Sequence, residues 1–249
     1  MRLFVCLFWS CLAALPVSGA ASESANAFSS FAIVSSRIAE HQDAIGAGVI
    51  VSMRPHGLRV ITARHVADRG AVTVWIERRP YPAEIVRTFA NRDIAVVDAI
   101  VPNEVCRRVA AASASSAARP GDAILVWGEN AGSADIKSGS IVAADWAPSG
   151  ELTVPLLRIE CATCRRGDSG GGIFDMDGHL LGILVARYAR ADGTTLATVG
   201  ERIDEKLYAG SDDVPDVSAP SALYDQSDAG ATGVALLELP TGARAPEPT

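Results

Sequence analysis

Short apolar runs rich in valine and isoleucine recur along the central part of the chain, and glycine, proline and charged residues separate them. Residues 72–76 (Val-Thr-Val-Trp-Ile) alternate in part between apolar and polar positions, as expected for a strand with one buried face. The pattern predicts strands over 45–52, 58–63, 71–77, 94–99, 123–128, 136–146, 152–159 and 179–188. Short strands with turn residues between them indicate an all-β fold, and two antiparallel barrels accommodate them better than one.

Three further stretches bound the folded domain. Residues 110–121 are mostly alanine and serine and divide the strands into two groups, as either a linker or a short helix. Residues 200–208 carry apolar residues at positions i and i+4 and predict a short helix at the end of the domain. Residues 209–249 lack periodicity and combine five prolines with seven acidic residues and one arginine. We predict a disordered tail, whose apolar patch at 234–239 docks on the body or binds a partner.

The first 20 residues have the three parts of a secretory signal peptide. Arg2 supplies the positive charge, residues 3–15 form an apolar run, and Ser18-Gly19-Ala20 is a small-residue cleavage site. The apolar run is shorter than the ~20 residues that a membrane-spanning helix requires. We therefore predict an exported protein, periplasmic or secreted, with a folded domain over residues 21–208 and no membrane association after cleavage.

Charge and cysteine content exclude some classes of partner. The net charge is −7 and no basic stripe is present, so a nucleic acid is not an expected partner. Three cysteines follow the signal peptide, Cys106, Cys161 and Cys164, and export makes one disulfide plausible, although the sequence does not identify the pair. No second Cys/His pair at ligand spacing accompanies Cys161 and Cys164. We expect neither a metal nor another cofactor.

Ser169 lies in the glycine-rich stretch Gly-Asp-Ser-Gly-Gly-Gly, residues 167–172. The flanking glycines leave room for a carbonyl substrate and for backbone N–H donors beside one hydroxyl. A serine hydroxyl is a weak nucleophile at neutral pH and needs a histidine base and a carboxylate that orients the base. His65 and Asp93 are the upstream candidates. Asp98 is a rival acid, but Asp93 directly precedes the apolar run Ile-Ala-Val-Val, where a buried strand is expected to begin.

The order of these residues along the chain separates two possible folds. Residues 167–171 also fit the Gly-x-Ser-x-Gly turn of α/β-hydrolases, in which the acid and the histidine follow the serine. Here His65 and Asp93 precede Ser169, and the only later histidine, His179, is ten residues away. That spacing leaves no room for an intervening strand with an acid, so an esterase of this fold is disfavoured.

Three motifs resemble those of the chymotrypsin-like (trypsin-like) serine proteases: Thr-Ala-Arg-His at 62–65, Asp-Ile-Ala-Val at 93–96 and Gly-Asp-Ser-Gly-Gly at 167–171. Their spacing is similar to that of bacterial Deg/HtrA-type protease domains, which also carry a strand like residues 46–51 before the histidine. The resemblance covers roughly residues 40–208, and we expect no PDZ domain after it. It implies two six-stranded antiparallel β-barrels with a short C-terminal helix, and a serine endopeptidase that cleaves proteins or peptides through an acyl-enzyme.

The resemblance also assigns roles within the site. The backbone N–H groups of Gly167 and Ser169 would form the oxyanion hole, and Asp168 would be the buried carboxylate that steadies this loop. In animal members of the family, a freed apolar N-terminus pairs with that carboxylate. Ile38 lies too close in sequence to Gly48 for such a switch, so we predict that this chain lacks it. The candidates for the substrate pocket are Thr163, Val185 and Arg187.

Two alternatives to an endopeptidase stay open at the level of the sequence. One is a protease-like binding or chaperone module whose catalytic residues are idle. The other is a serine esterase that uses the same residues. The sequence does not indicate an oligomeric state or a cleavage specificity.

Overall fold

The computed structural model describes residues 29–40, 42–89, 91–115, 117–131, 133–146, 156–189, 195–203, 205–208 and 235–238. The predicted signal peptide and most of the predicted acidic tail lie outside these ranges. Within them, no helix is long and apolar enough to cross a membrane.

The first half of the chain forms a closed barrel of six antiparallel strands, in the order β1-β2-β3-β6-β5-β4. These strands are β1 (Phe31–Ala39), β2 (Gln42–Arg54), β3 (Gly57–Ala63), β4 (Val72–Ile76), β5 (Arg79–Phe89) and β6 (Arg92–Ile100). Every residue of β3 is buried, because this strand is rich in apolar side chains and pairs on both edges. Its continuous burial makes β3 a rigid support for the helical turn Arg64–Ala67 that follows it.

The second half forms a similar barrel. Its strands are β7 (Ala123–Asn130), β8 (Ser133–Trp146), β9 (Leu156–Glu160), β10 (Gly172–Phe174), β11 (Leu180–Ala189) and β12 (Thr195–Arg202). The short strand β10 pairs with both β7 and β11 and so closes the ring of six. The two closed six-stranded barrels confirm the predicted all-β fold class.

One strand lies outside the two rings. β13 (Ala235–Glu238) belongs to the apolar patch of the predicted tail and pairs in parallel with the end of β11, beyond β10. A strand that joins an exposed edge satisfies backbone groups that would otherwise face solvent.

The connection between the barrels contains no helix over the described residues of 110–121, which end in a turn at 120–121. Ala112 N–H donates to the carbonyl oxygen of Ile50 (2.8 Å), and Ser115 N–H donates to that of Leu180 (2.9 Å). The linker therefore lies against both barrels. A helical turn at Asn103–Cys106 precedes it.

The helix predicted over residues 200–208 is wrong in its first part. Residues up to Arg202 complete β12, in which Glu201 lies opposite Ile183 on one side and Leu156 on the other. Among the described residues of this range, Glu205–Leu207 form a 3-10 helix. The pairing with two neighbouring strands overrides the weak helical pattern of the sequence.

Candidate active site

His65 and Asp93 are brought together by the pairing of β3 with β6. Ala63, the last residue of β3, lies opposite Ile94, so the next residues beyond this pair meet at the same end of the barrel. Asp93 Oδ1 accepts the backbone N–H of His65 (3.0 Å), and its Oδ2 lies 2.5 Å from His65 Nδ1. The second contact favours the tautomer with hydrogen on Nδ1, which leaves Nε2 as the basic nitrogen.

The rival acid Asp98 has a different partner. It lies farther along β6, opposite Arg59 of β3. The Arg59 guanidinium binds both of its carboxylate oxygens, with Nε to Oδ1 at 2.7 Å and Nη2 to Oδ2 at 2.8 Å. A two-point pair of this kind holds the carboxylate firmly. Asp98 is therefore a structural residue of the first barrel, and Asp93 is the acid in contact with the histidine.

Ser169 lies at the seam between the barrels. Its carbonyl oxygen accepts the N–H of Ala47 on β2 (2.8 Å), and the next residue, Gly170, donates to Leu184 of β11 (2.8 Å). Gly170 packs so closely on β3 that an added Cβ would lie 3.0 Å from the nitrogen of Ala63, two residues before His65. The serine thus stands beside the strand end that carries the histidine. Its side chain is buried, and Oγ has no hydrogen-bond partner among the described residues.

The loop before Ser169 contains a buried ion pair between Asp168, which the sequence predicted to be a buried carboxylate, and Lys137, which it did not predict. Asp168 Oδ1 accepts from Lys137 Nζ (2.8 Å), and Oδ2 accepts the backbone N–H of Arg165 (2.6 Å). Asp168 is 0% exposed and Lys137 is 4% exposed. Lys137 Nζ also lies 3.0 Å from Asp135 Oδ2. Lys137, on β8, therefore supplies a buried cation to the carboxylate of Asp168.

The backbone of this loop leaves two donors available. Asp168 N–H donates to Arg165 O (3.2 Å), and Gly171 N–H donates to Asp168 O (2.9 Å). The N–H groups of Gly167 and Ser169 donate to no protein group that the structure describes. Free backbone donors beside a nucleophile are the feature that stabilises a developing oxyanion.

A second buried carboxyl that sequence reasoning missed lies behind Asp93. Glu201 Oε1 on β12 accepts the backbone N–H of Asp93 at 2.5 Å. The pKa of Glu201 is raised from 4.5 to about 8, mainly by burial and in part by the nearby charge of Asp93. The N–H of Asp93 and the charge of Arg92 act in the opposite direction. At neutral pH, this raised pKa favours the protonated form of Glu201.

The three pocket candidates occupy different environments. Thr163 is exposed in the turn between Cys161 and Cys164. Val185 is 1% exposed and packs within the hydrophobic core. The main chain of Arg187 lies in β11, and its side chain is outside what the structure describes. The assignment of these residues to a substrate pocket stays a prediction.

The structure answers the question of cysteine pairing. Cys161 and Cys164 form a disulfide, and Cys106 is a free thiol. The disulfide closes the turn that leads from β9 into the serine loop.

One group of side chains has the ligand types of a cation site. Asp175, Asp177 and His179 lie in the turn between β10 and β11, with one ligand atom of each within 4.8 Å of the others. Asp175 Oδ1 accepts the backbone N–H groups of Asp177 (3.0 Å) and His179 (2.8 Å). Its Oδ2 lies 3.1 Å from His179 Nδ1. These bonds close a tight turn, and they give Asp175 a structural role.

Comparison with known proteins identifies the family. The trypsin-like peptidase domain matches residues 46–183, a range that includes His65, Asp93 and Ser169. The chain belongs to this family. It therefore contains a serine-type peptidase domain of the chymotrypsin-like class, and the resemblance found in the sequence is confirmed.

The relatives point to the Deg/HtrA type within this family. The chain is 28% identical over 156 residues to a probable periplasmic serine endoprotease, DegP-like, of Marinomonas sp. (strain MWYL1). The aligned region covers 61% of this chain and 32% of the relative. The chain thus spans about a third of the length of this relative.

Two solved structures share the fold. The HtrA-type protease AlgW with tripeptide superposes with a TM-score of 0.61 at 23% identity, over 76% of this chain and 60% of that one. The serine endoprotease from Yersinia pestis gives 0.57 at 21% identity, over 76% and 64%.

Proposed function

We propose that this chain is an exported serine endopeptidase that uses His65, Asp93 and Ser169 as its catalytic residues. The observation that carries the proposal is the double contact of Asp93 with the backbone and ring of His65, beside the glycine-flanked Ser169. Family membership supports it, because the matched range contains all three residues.

In the proposed reaction, Ser169 Oγ attacks the carbonyl carbon of a peptide bond while His65 Nε2 takes the hydroxyl proton. Asp93 holds the ring and stabilises the imidazolium that forms. The N–H groups of Gly167 and Ser169 donate to the oxyanion, where the loss of one donor typically costs about 10² to 10³ in rate. His65 then gives its proton to the leaving amine, and water hydrolyses the acyl-enzyme by the same steps.

Two observations support a peptide substrate and an exported enzyme. The AlgW structure contains a tripeptide, and the DegP-like relative is described as periplasmic. The predicted signal peptide of this chain is consistent with the same compartment.

A protease-like binding module with an idle site is the second candidate. The observation that favours it is the complete burial of Ser169, which is 0% exposed. A substrate reaches such a serine only after the surrounding loops move. The two candidates therefore differ in whether Ser169 becomes reactive.

Labelling with a fluorophosphonate probe separates these candidates. We expect the wild-type protein to form a covalent adduct and to digest casein, and Ser169→Ala to do neither. Ser133→Ala, which changes an exposed serine of the same barrel, is the matched control and should behave as wild type. Labelling of Ser169→Ala at the wild-type rate, or no labelling of the wild type under any activating condition, contradicts the proposal. Cleavage of esters but not of casein would instead support the esterase alternative.

A further inference from the structure

Glu201 connects the second barrel to the acid of the proposed triad. It lies on β12, 108 residues from Asp93 in sequence, and its Oε1 accepts the Asp93 backbone N–H. Glu201 is 3% exposed. Its Oε2 lies 4.0 Å from Arg92 Nε, which is beyond hydrogen-bond distance. Burial of a carboxyl group is costly unless its polar atoms are hydrogen-bonded, and among the described residues Glu201 has one direct hydrogen bond.

The contacts of Asp93 show what Glu201 contributes. Both carboxylate oxygens of Asp93 are used on His65, one on the ring and one on the backbone. Glu201 binds Asp93 through the main chain and not through its carboxylate. Movement of this main chain would move the carboxylate relative to the His65 ring. We propose that Glu201 is a positioning residue, which fixes Asp93 from the second barrel and so sets the orientation of His65. This inference rests on the proposed function.

Burial and the negative charge of Asp93 favour the neutral form of Glu201, and the charge of Arg92 opposes them. Asp93 and Arg92 face it from β6, and His65 lies beyond Asp93. Arg202, its neighbour on β12, directs its guanidinium to Asp145 of β8 (2.9 Å). The strands on either side of β12 place Ile183 and Leu156 opposite Glu201. Apolar neighbours and the negative charge of Asp93 both disfavour a second carboxylate here.

A pH dependence follows from the raised pKa of Glu201. The unfolded chain releases this proton near pH 4.5, whereas the folded protein keeps it up to about pH 8. Between these values the folded state binds more protons than the unfolded state, so the free energy of unfolding falls as the pH rises. Above about pH 8, Glu201 also ionises in the folded protein and places a second negative charge behind Asp93.

Two substitutions separate the charge of Glu201 from its hydrogen bond. Glu201→Gln keeps an acceptor for the Asp93 N–H but cannot ionise, and we expect kcat at pH 7 close to that of the wild type. Glu201→Leu removes the acceptor and leaves a buried N–H unsatisfied, and we expect kcat to fall by about tenfold with little change in KM. Glu160→Gln, at an exposed carboxyl of the same barrel, is the matched control and should change neither quantity.

Two readouts would not respond to a merely structural residue. The NMR resonance of the His65 Nδ1 proton should shift in the wild type with an apparent pKa of about 8, and this shift should be absent in Glu201→Gln. The excess stability of Glu201→Gln over the wild type should grow from pH 5 to about pH 8 and then stay constant.

The proposal is overturned if Glu201→Leu folds and keeps the wild-type kcat and Nδ1 resonance. It is also overturned if Glu201→Gln keeps the wild-type dependence of that resonance on pH. If Glu201→Leu does not fold, the His65 Nδ1 resonance and the melting curves of Glu201→Gln still test whether Glu201 positions Asp93. Failure of the wild type to react with the fluorophosphonate would refute the proposed function, whereas the resonance and the melting curves test the role of Glu201 independently of activity.

Discussion

Asp168 and Glu201 are both buried carboxyl groups next to the candidate catalytic residues, and the protein balances their charge in different ways. Asp168, before the nucleophile, pairs with the ammonium group of Lys137. Glu201, on β12, lies 4.0 Å from the guanidinium of Arg92, and its pKa is raised to about 8. The serine loop is therefore held by a fixed cation, whereas the charge of the carboxyl group that binds the Asp93 backbone changes with pH.

The candidate active site is therefore supported in two ways, by an ion pair beside Ser169 and by a carboxyl group with a raised pKa beside Asp93. An ion pair between Lys137 and Asp168 contacts the loop before Ser169. A protonated carboxyl instead makes the Asp93 side of the site sensitive to pH. Substitutions at each carboxyl can test whether the two supports are independent, because they lie on different elements and share no partner.

The largest effect is expected from removal of the cation. Lys137→Met leaves Asp168 as an unpaired buried charge, which typically costs about 3–5 kcal/mol. We expect a loss of this size in the free energy of unfolding measured with urea, together with loss of fluorophosphonate labelling. The double variant Lys137→Met/Asp168→Asn should recover part of the stability. Wild-type stability of Lys137→Met would show that the ion pair does not hold the loop.

A smaller effect is expected from crowding the same ion pair. A Cβ added at Gly128 would overlap Asp168 Oδ1 and would lie 2.8 Å from Lys137 Nζ. Overpacking of this kind typically costs about 1–3 kcal/mol, so Gly128→Ala should lower the melting temperature and slow the labelling of Ser169. The decrease in melting temperature caused by Gly128→Ala should be the same in the wild type and in Glu201→Gln. Additive effects of Gly128→Ala and Glu201→Gln on the melting temperature would show that the two supports are independent. Strong coupling between the two substitutions would contradict this.

The smallest effect is expected at the exposed edge of the serine loop. Arg165 Nη2 lies 3.2 Å from Asp135 Oδ2, and its side chain is 51% exposed. Exposed pairs usually contribute less than about 1 kcal/mol, and the backbone N–H of Arg165 keeps its bond to Asp168 after substitution. Arg165→Gln should therefore melt within a few degrees of the wild type. A loss as large as that of Lys137→Met would mean that the surface pair, rather than the buried one, holds the loop.

The sequence was most informative where chemistry and chain order coincide. His65 and Asp93 were predicted from short motifs, and the position of Asp93 before an apolar run distinguished it from Asp98. In the structure, Asp93 contacts the ring of His65, and Asp98 forms an ion pair with Arg59. These residues lie next to strands whose pairing is set by local apolar patterns. The neighbouring sequence was therefore sufficient to predict His65 and Asp93.

Lys137 and Glu201 were missed because their partners are distant in sequence, 31 and 108 residues away. A polar residue in a strand ordinarily indicates a solvent-facing position. The only available signal was that Lys137 is one of two lysines in a chain with 20 arginines. β5 was missed for a different reason, since Pro80 and Pro82 lack the N–H that a strand uses, and here they lie near the start of the strand.

Mass-spectrometric mapping of the fluorophosphonate adduct is the most direct test that Ser169 is the nucleophile and that Asp93, rather than Asp98, is the acid. The account predicts a single adduct on Ser169 in the wild type. It predicts a rate about 10⁴ lower in Asp93→Asn and a nearly unchanged rate in Asp98→Asn, which keeps an acceptor for Arg59. An adduct on another residue, or equal rates for the two aspartate variants, would contradict it.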